Sequence, residues 1–102
     1  MDVKPIMWTQ NATVNIDVSS SSQSIDLAGA INGYRQIEIF NNGSATVWVA
    51  FGDSTITTAL TTGKPVAAGA DLVVTIGPGT THAAAIAAGS TGKIYFTPGS
   101  GL

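Results

Sequence analysis

The chain has 102 residues, of which 44% are apolar, so it is long enough for one domain with its own hydrophobic core. Only 10% of the residues are charged, against about 25% in ordinary soluble domains, and the net charge is −2. Four basic residues are too few to bind the phosphates of a nucleic acid, and no apolar run approaches the roughly 20 residues of a membrane span. The absence of cysteine excludes disulfides, thiol catalysis and cysteine-based metal sites.

The first residues show no clear period, and we assign 1–12 to an N-terminal arm and 13–102 to a single domain. No basic region followed by an apolar stretch is visible at this end, so we expect synthesis in the cytoplasm. Ile6, Met7 and Trp8 form an apolar cluster beside Pro5. Exposing them to water costs roughly 25 cal/mol per Å² of apolar surface, so they need a partner surface. We predict that these three residues form an interface, with the chain's own domain as the alternative surface.

The first half of the domain reads as a series of strands. Val14, Ile16 and Val18 alternate with polar residues, which predicts a half-buried strand, and a loop at 19–22 leads to a second short strand at 24–27. The clearest unit spans 34–52, where Asn42-Gly43 is typical of a tight turn between two alternating segments. We predict an antiparallel hairpin here, whose core face carries Ile37, Ile39, Val47, Val49 and Phe51.

The second half continues the same pattern with less certain boundaries. The threonine-rich segment 53–64 is divided between a strand and a loop, and 65–69 reads as a turn. Strands are predicted at 72–76 and 93–97, with a tail at 98–102. The alanine-rich segment 82–88 is short and has glycines on both sides, which favours a strand over a helix. Seven or eight short antiparallel strands without a long helix indicate an all-β sandwich or small barrel.

The residues that carry chemistry are sparse. His82 is the only histidine, and Thr80, Thr81 and Asp71 are possible catalytic partners by residue type alone. One histidine without cysteine gives no transition-metal site, and no cofactor motif is complete. Trp8 and Trp48 are candidates for stacking on sugars, although an interface or packing role suits them as well. We therefore predict a protein that is not an enzyme and has no cofactor and no metal.

Four stretches carry a resemblance to a known class of proteins: Arg35–Gly52, Pro65–Gly69, Ile76–His82 and Tyr95–Gly99. Together they resemble small β-rich virion proteins of tailed bacteriophages, over roughly residues 34–102. The resemblance implies a capsid decoration or cement protein with a β-sandwich fold of jelly-roll type, often assembled as a homotrimer. Its partners would be the major capsid protein and copies of itself.

The composition agrees with such a role, because small uncharged side chains lose little entropy on burial and interface cores are poor in charge. We therefore expect a non-enzymatic virion structural protein on the capsid surface that stabilises the head shell, with no nucleic acid and no membrane as partner. The alternative is a phage tail or fibre component, or a carbohydrate-binding β-sandwich module.

Overall fold

The computed structural model describes residues 6–8, 13–27, 36–77, 79–89 and 91–101, and for residues 6–8, 100 and 101 it describes the backbone only. The described residues form nine strands and no helix, which confirms the all-β prediction. The strands are β1 (Ile6–Trp8), β2 (Val14–Val18), β3 (Gln23–Asp26), β4 (Gln36–Asn41), β5 (Val47–Gly52), β6 (Lys64–Val66), β7 (Asp71–Thr75), β8 (His82–Ile86) and β9 (Gly92–Gly101). No described segment is a helix of the length and apolarity needed to cross a membrane.

The strands form two antiparallel sheets. In the five-stranded sheet, β9 lies between β4 and the pair β1 and β2, and β4 pairs with β7 on its other side. In the four-stranded sheet the order is β3, β8, β5, β6. The pairs β5–β6, β4–β7, β3–β8 and β2–β9 are nested around segment 53–63, and the pairs β4–β9 and β5–β8 complete the two sheets.

Both sheets contribute to one hydrophobic core. The alternation of apolar and polar residues along each strand decides which side chains enter it, because successive side chains point to opposite faces of a sheet. Phe51 of the four-stranded sheet meets Phe96 of the five-stranded sheet edge to face, with ring centroids 5.9 Å apart. Of the apolar residues that the sequence places on buried strand faces, Val14 and Phe51 are half-buried. The others are buried: Ile16, Val18, Ile37, Ile39, Val47 and Val49.

The predicted hairpin over 34–52 is wrong, although both of its strands exist. β4 lies in the five-stranded sheet and β5 in the four-stranded sheet, so residues 42–46 cross from one sheet to the other. Asn41, which is fully buried, holds this crossing. Its Nδ2 donates to the carbonyl oxygens of Ala45 and Val66, both at 2.9 Å, and its Oδ1 accepts from the Gly43 amide at 2.9 Å.

A second contact explains the glycine in this crossing. The amides of Asn42 and Ser44 donate to the carbonyl oxygens of Lys93 and Thr91, at 3.0 and 2.8 Å, so the crossing lies directly on the start of β9. A side chain at Gly43 would collide with the Thr91 carbonyl oxygen. The Asn-Gly pair therefore serves a close approach between two backbones and not a two-residue hairpin turn.

Three further boundaries differ from the sequence expectation. Residues 64–66 form β6 and not part of a turn, and 53–63 contain no strand. Residues 98–101 are not a tail, because they continue β9 and pair with β1 and β4. Residues 6–8 of the predicted arm form β1, whose backbone pairs with residues 99–101. Residues 1–5 and 9–12 of the arm lie outside the described residues.

Candidate interaction surface

The outer face of the five-stranded sheet carries an exposed apolar group. In β4, alternation directs Ile37 and Ile39 into the core and Glu38 and Phe40 outward. Phe40 is 37% exposed and stacks on Tyr95 of β9, with ring centroids 6.5 Å apart. Phe40 and Tyr95 are directly opposite each other in the β4–β9 register, and side chains at such positions touch across the strands.

The neighbouring strand extends this surface. Val73 of β7 is 48% exposed and lies opposite Glu38. Only three large apolar side chains are exposed among the described residues, and two of them, Phe40 and Val73, lie on this face, the third being Leu60. A solvated face of an antiparallel sheet is ordinarily polar, so this outer face is unusual.

Two carboxyl groups lie beside these apolar side chains. Asp71 is opposite Phe40, one pleat from Val73, and is therefore diagonal to Glu38 across the β4–β7 pair. Burial of Glu38, a hydrogen bond to Asp71 and repulsion by the Asp71 charge all raise the pKa of Glu38, burial being the largest cause. Together Glu38, Phe40, Asp71, Val73 and Tyr95 form what we call the acidic-aromatic patch.

The other charges on this face do not neutralise the patch. Lys93 donates to the Asp17 carboxylate at 2.5 Å, and this bond is the first cause of the raised pKa of Lys93. Lys64, the other lysine among the described residues, lies on β6 in the four-stranded sheet. Within the described part of the chain, Glu38 and Asp71 therefore have no ion-pair partner.

The outer face of the four-stranded sheet is different, because part of it is covered. The register places Ala84 beside Ala50 on this face, yet Ala84 is fully buried. Segment 53–63 crosses here: the Thr58 amide donates to Ser22 Oγ at 3.0 Å before β3, and a side chain at Gly63 would collide with Thr58 and Trp48. This leaves the five-stranded sheet as the one with an extended open face among the described residues.

The predicted interface residues occupy one edge of the same sheet. The backbone register places Ile6 opposite Gly101, Met7 opposite Ser100 and Trp8 opposite Gly99. The side chains of these three residues lie outside the described part of the structure, so their role as an interface stays a prediction.

The structure places His82 at the start of β8, beside Thr81 and in the other sheet from Asp71. Its Nδ1 shares a hydrogen bond of 2.7 Å with the Thr81 hydroxyl group. Asp26 lies directly opposite His82 in the β3–β8 register, and the Asp53 charge also interacts with His82. The Asp53 carboxylate accepts hydrogen bonds from the hydroxyl and the amide of Thr55, at 2.6 and 2.9 Å. These two bonds are the main reason why the pKa of Asp53 is lowered. Among the described residues, no carboxylate is hydrogen-bonded to His82.

Trp48, the other candidate for sugar stacking, is half-buried and lies against Gly63. The side chain of Trp8 lies outside the described part of the structure, and Phe40 was not named from the sequence as an exposed aromatic residue. A signal for Phe40 was present, because the alternation that puts Glu38 on the outer face of β4 puts Phe40 there as well. Nothing in the sequence places Asp71 next to Glu38, since that depends on the pairing of β4 with β7.

Comparisons with protein-family models, with curated proteins and with solved structures found no match for this chain.

Proposed function

We propose that this protein is a non-enzymatic virion structural protein of a tailed bacteriophage, a decoration or cement protein that binds the outside of the head shell and stabilises it. The observation that supports this most is the acidic-aromatic patch. It is an open sheet face with two exposed apolar side chains on a chain in which 10% of the residues are charged. Exposed apolar surface on a small domain is characteristic of protein interaction sites.

We propose further that the fold is a β-sandwich of jelly-roll type. The nested pairs β5–β6, β4–β7, β3–β8 and β2–β9 support this assignment, because a long two-stranded hairpin that rolls up on itself produces such an order. The pairs β4–β9 and β5–β8 are the contacts that rolling adds. Jelly rolls occur in viral capsid domains and also in lectins, so the fold by itself does not choose between these functions.

In this proposal the partners are the major capsid protein and other copies of the chain, assembled as a trimer on the capsid surface. Many copies on one shell allow weak individual contacts to add up to tight attachment. Sedimentation of the free protein and reconstruction of the particle together test the trimer, and a monomer in both contradicts it.

The N-terminal strand contributes to the same attachment in this proposal, with Trp8 as its anchor. The test is deletion of residues 2–10, which removes β1 but leaves β2 and its pairing with β9. The proposal expects the truncated domain to melt like the full chain and to lose binding to particles. Normal binding, or unfolding of the truncated domain, contradicts a role of Ile6, Met7 and Trp8 at the interface.

The function itself is tested with particles that lack this chain. Phage particles from a strain in which the gene is deleted are heated, and release of DNA is followed by dye fluorescence. We expect release at a lower temperature than for complete particles, and restoration of stability when the purified full chain is added back. Equal release temperatures and no binding of the added chain would contradict a cement role.

One observation favours a second candidate, the carbohydrate-binding module. The exposed ring of Phe40, stacked on half-buried Tyr95 beside two carboxyl groups, resembles the aromatic and polar mixture that binds sugars. Titration of the protein with a panel of bacterial surface glycans decides this. Sugar binding that is lost in Phe40→Ala, with head attachment absent, would replace the cement proposal.

A further inference from the structure

The acidic-aromatic patch is a surface whose chemistry selects its partner. Its apolar part consists of the stacked rings of Phe40 and Tyr95 together with Val73. Its polar part consists of Glu38 and Asp71, which only accept hydrogen bonds when ionised. A partner that covers this face buries two neighbouring negative charges, and buried charges require compensation.

A cation is therefore needed in any complex that covers the patch. Lys93 does not supply it, because its ammonium group is held by Asp17 at 2.5 Å on the β2 side of β9. The carboxyl groups lie on the opposite side of β9, on β4 and β7. Since the described residues offer no other cation on this face, we take the compensating charge from the partner.

The neighbouring rings decide which cation fits. A guanidinium group is planar, donates to two carboxylates at once and lies flat against an aromatic ring, whereas an ammonium group is a compact and strongly hydrated charge. Phe40 is adjacent to Asp71 on one side and to Tyr95 on the other, so a ring and a carboxylate are available at the same place.

We propose that the acidic-aromatic patch is the surface that attaches to the head shell, and that the shell presents an arginine side chain whose guanidinium group is bound by Glu38 and Asp71 against the ring of Phe40. This inference rests on the proposed function, since it names the group on the shell that the protein recognises.

The experiment measures binding of the full chain to particles that lack it. Asp71→Asn and Glu38→Gln each remove one negative charge from the patch with little change of shape. Asp26→Asn is the matched control, because Asp26 is an exposed strand residue on the other sheet. We expect each patch variant to bind at least about tenfold more weakly, since a close charge pair across an interface is worth about 1.5 kcal/mol or more. The control should bind like the wild type.

Two further measurements identify the cation. Arginine amide should displace the wild-type chain from particles more effectively than sodium chloride at the same ionic strength. For Asp71→Asn, the two salts should displace the chain equally well. Arg35→Gln tests a source within the chain, because Arg35 lies outside the described residues. The proposal would be overturned if Arg35→Gln weakened binding as much as Asp71→Asn does and arginine amide displaced the wild-type chain no better than sodium chloride.

The outcomes separate this inference from the proposed function. If the wild-type chain binds no particle, the function and the inference both fail. If it binds and the patch variants bind equally well, the protein decorates the shell through another face and only the inference fails. If Phe40→Ser weakens binding while Glu38→Gln and Asp71→Asn do not, the patch is an apolar contact and the arginine is excluded.

Discussion

Asn41 is the residue on which the crossing between the two sheets depends most directly. Its side-chain amide joins three parts of the chain: the end of β4, on which Asn41 lies, the crossing through Gly43 and Ala45, and strand β6 through Val66. Because Asn41 is fully buried, water does not replace these bonds when the side chain is removed. We predict that Asn41→Ala strongly destabilises the fold.

The magnitude follows from the three groups that lose their partner. The Val66 carbonyl oxygen is in a buried bond, so leaving it unpaired costs about 1–3 kcal/mol. The bonds to Ala45 and Gly43 are partly buried, and each contributes about 0.5–1.5 kcal/mol. We expect a total loss of about 2–6 kcal/mol, which is a large part of the roughly 5–15 kcal/mol that stabilises an ordinary domain.

The assay is denaturant unfolding of Asn41→Ala beside Asn42→Ala, whose exposed side chain makes no described hydrogen bond. Asn41→Asp provides a pH signature. Its carboxylate would face two carbonyl oxygens, so its pKa in the folded state lies above the unfolded value of about 3.9. The free energy of unfolding of this variant should therefore rise as the pH is lowered through that window. A loss below about 1 kcal/mol for Asn41→Ala would show that these hydrogen bonds do not stabilise the crossing between the sheets.

Three further predictions concern single side chains, each measured by denaturant unfolding. Phe51→Ala should cost about 2–4 kcal/mol, because the half-buried ring leaves a gap against Phe96, and a loss under about 1 kcal/mol would show that the two sheets do not meet there. His82→Ala should cost less than about 1 kcal/mol and leave particle binding unchanged, whereas metal bound at this side chain would contradict the non-enzymatic proposal. The pKa of Glu38 is raised, so wild-type stability should fall as the pH rises through the window above the usual glutamate value of about 4.3, and Glu38→Gln should lack this fall. An identical pH dependence in that variant would exclude Glu38 as the cause.

Local alternation was sufficient to predict strands and the side chains that enter the core. Val14, Ile16 and Val18 are a clear case, since a period of two leaves one buried face whatever the strand pairs with. The segment at 82–88 is a second case. Its short length and flanking glycines predicted a strand despite the helix propensity of alanine, and β8 forms there.

The pairing of strands could not be predicted in this way. The Asn-Gly pair after β4 predicts a hairpin, but the buried hydrogen bonds of Asn41 send the chain into the other sheet. Likewise, Pro98 and Gly99 suggest the end of a strand, yet β9 continues because β1 and β4 pair with it on both sides. Contacts between residues that are distant in sequence determine where the chain goes after β4 and where β9 ends. Local residue types do not predict such contacts.

The same limit applies to the candidate site. The exposure of Phe40 could be predicted from the period-two alternation of β4. The proximity of Glu38 to Asp71 could not, because it depends on the β4–β7 register. The prediction that Ile6, Met7 and Trp8 form an interface rests on their apolar character alone, and it stays a prediction.

Cryo-electron microscopy of the complete phage particle locates the chain and shows which face it turns to the shell. We expect density for this two-sheet domain on the outside of the head, with the five-stranded sheet toward the shell and Phe40, Glu38 and Asp71 covered by it. Density at the tail, no density of this size, or a head-bound domain whose acidic-aromatic patch faces solvent would contradict it.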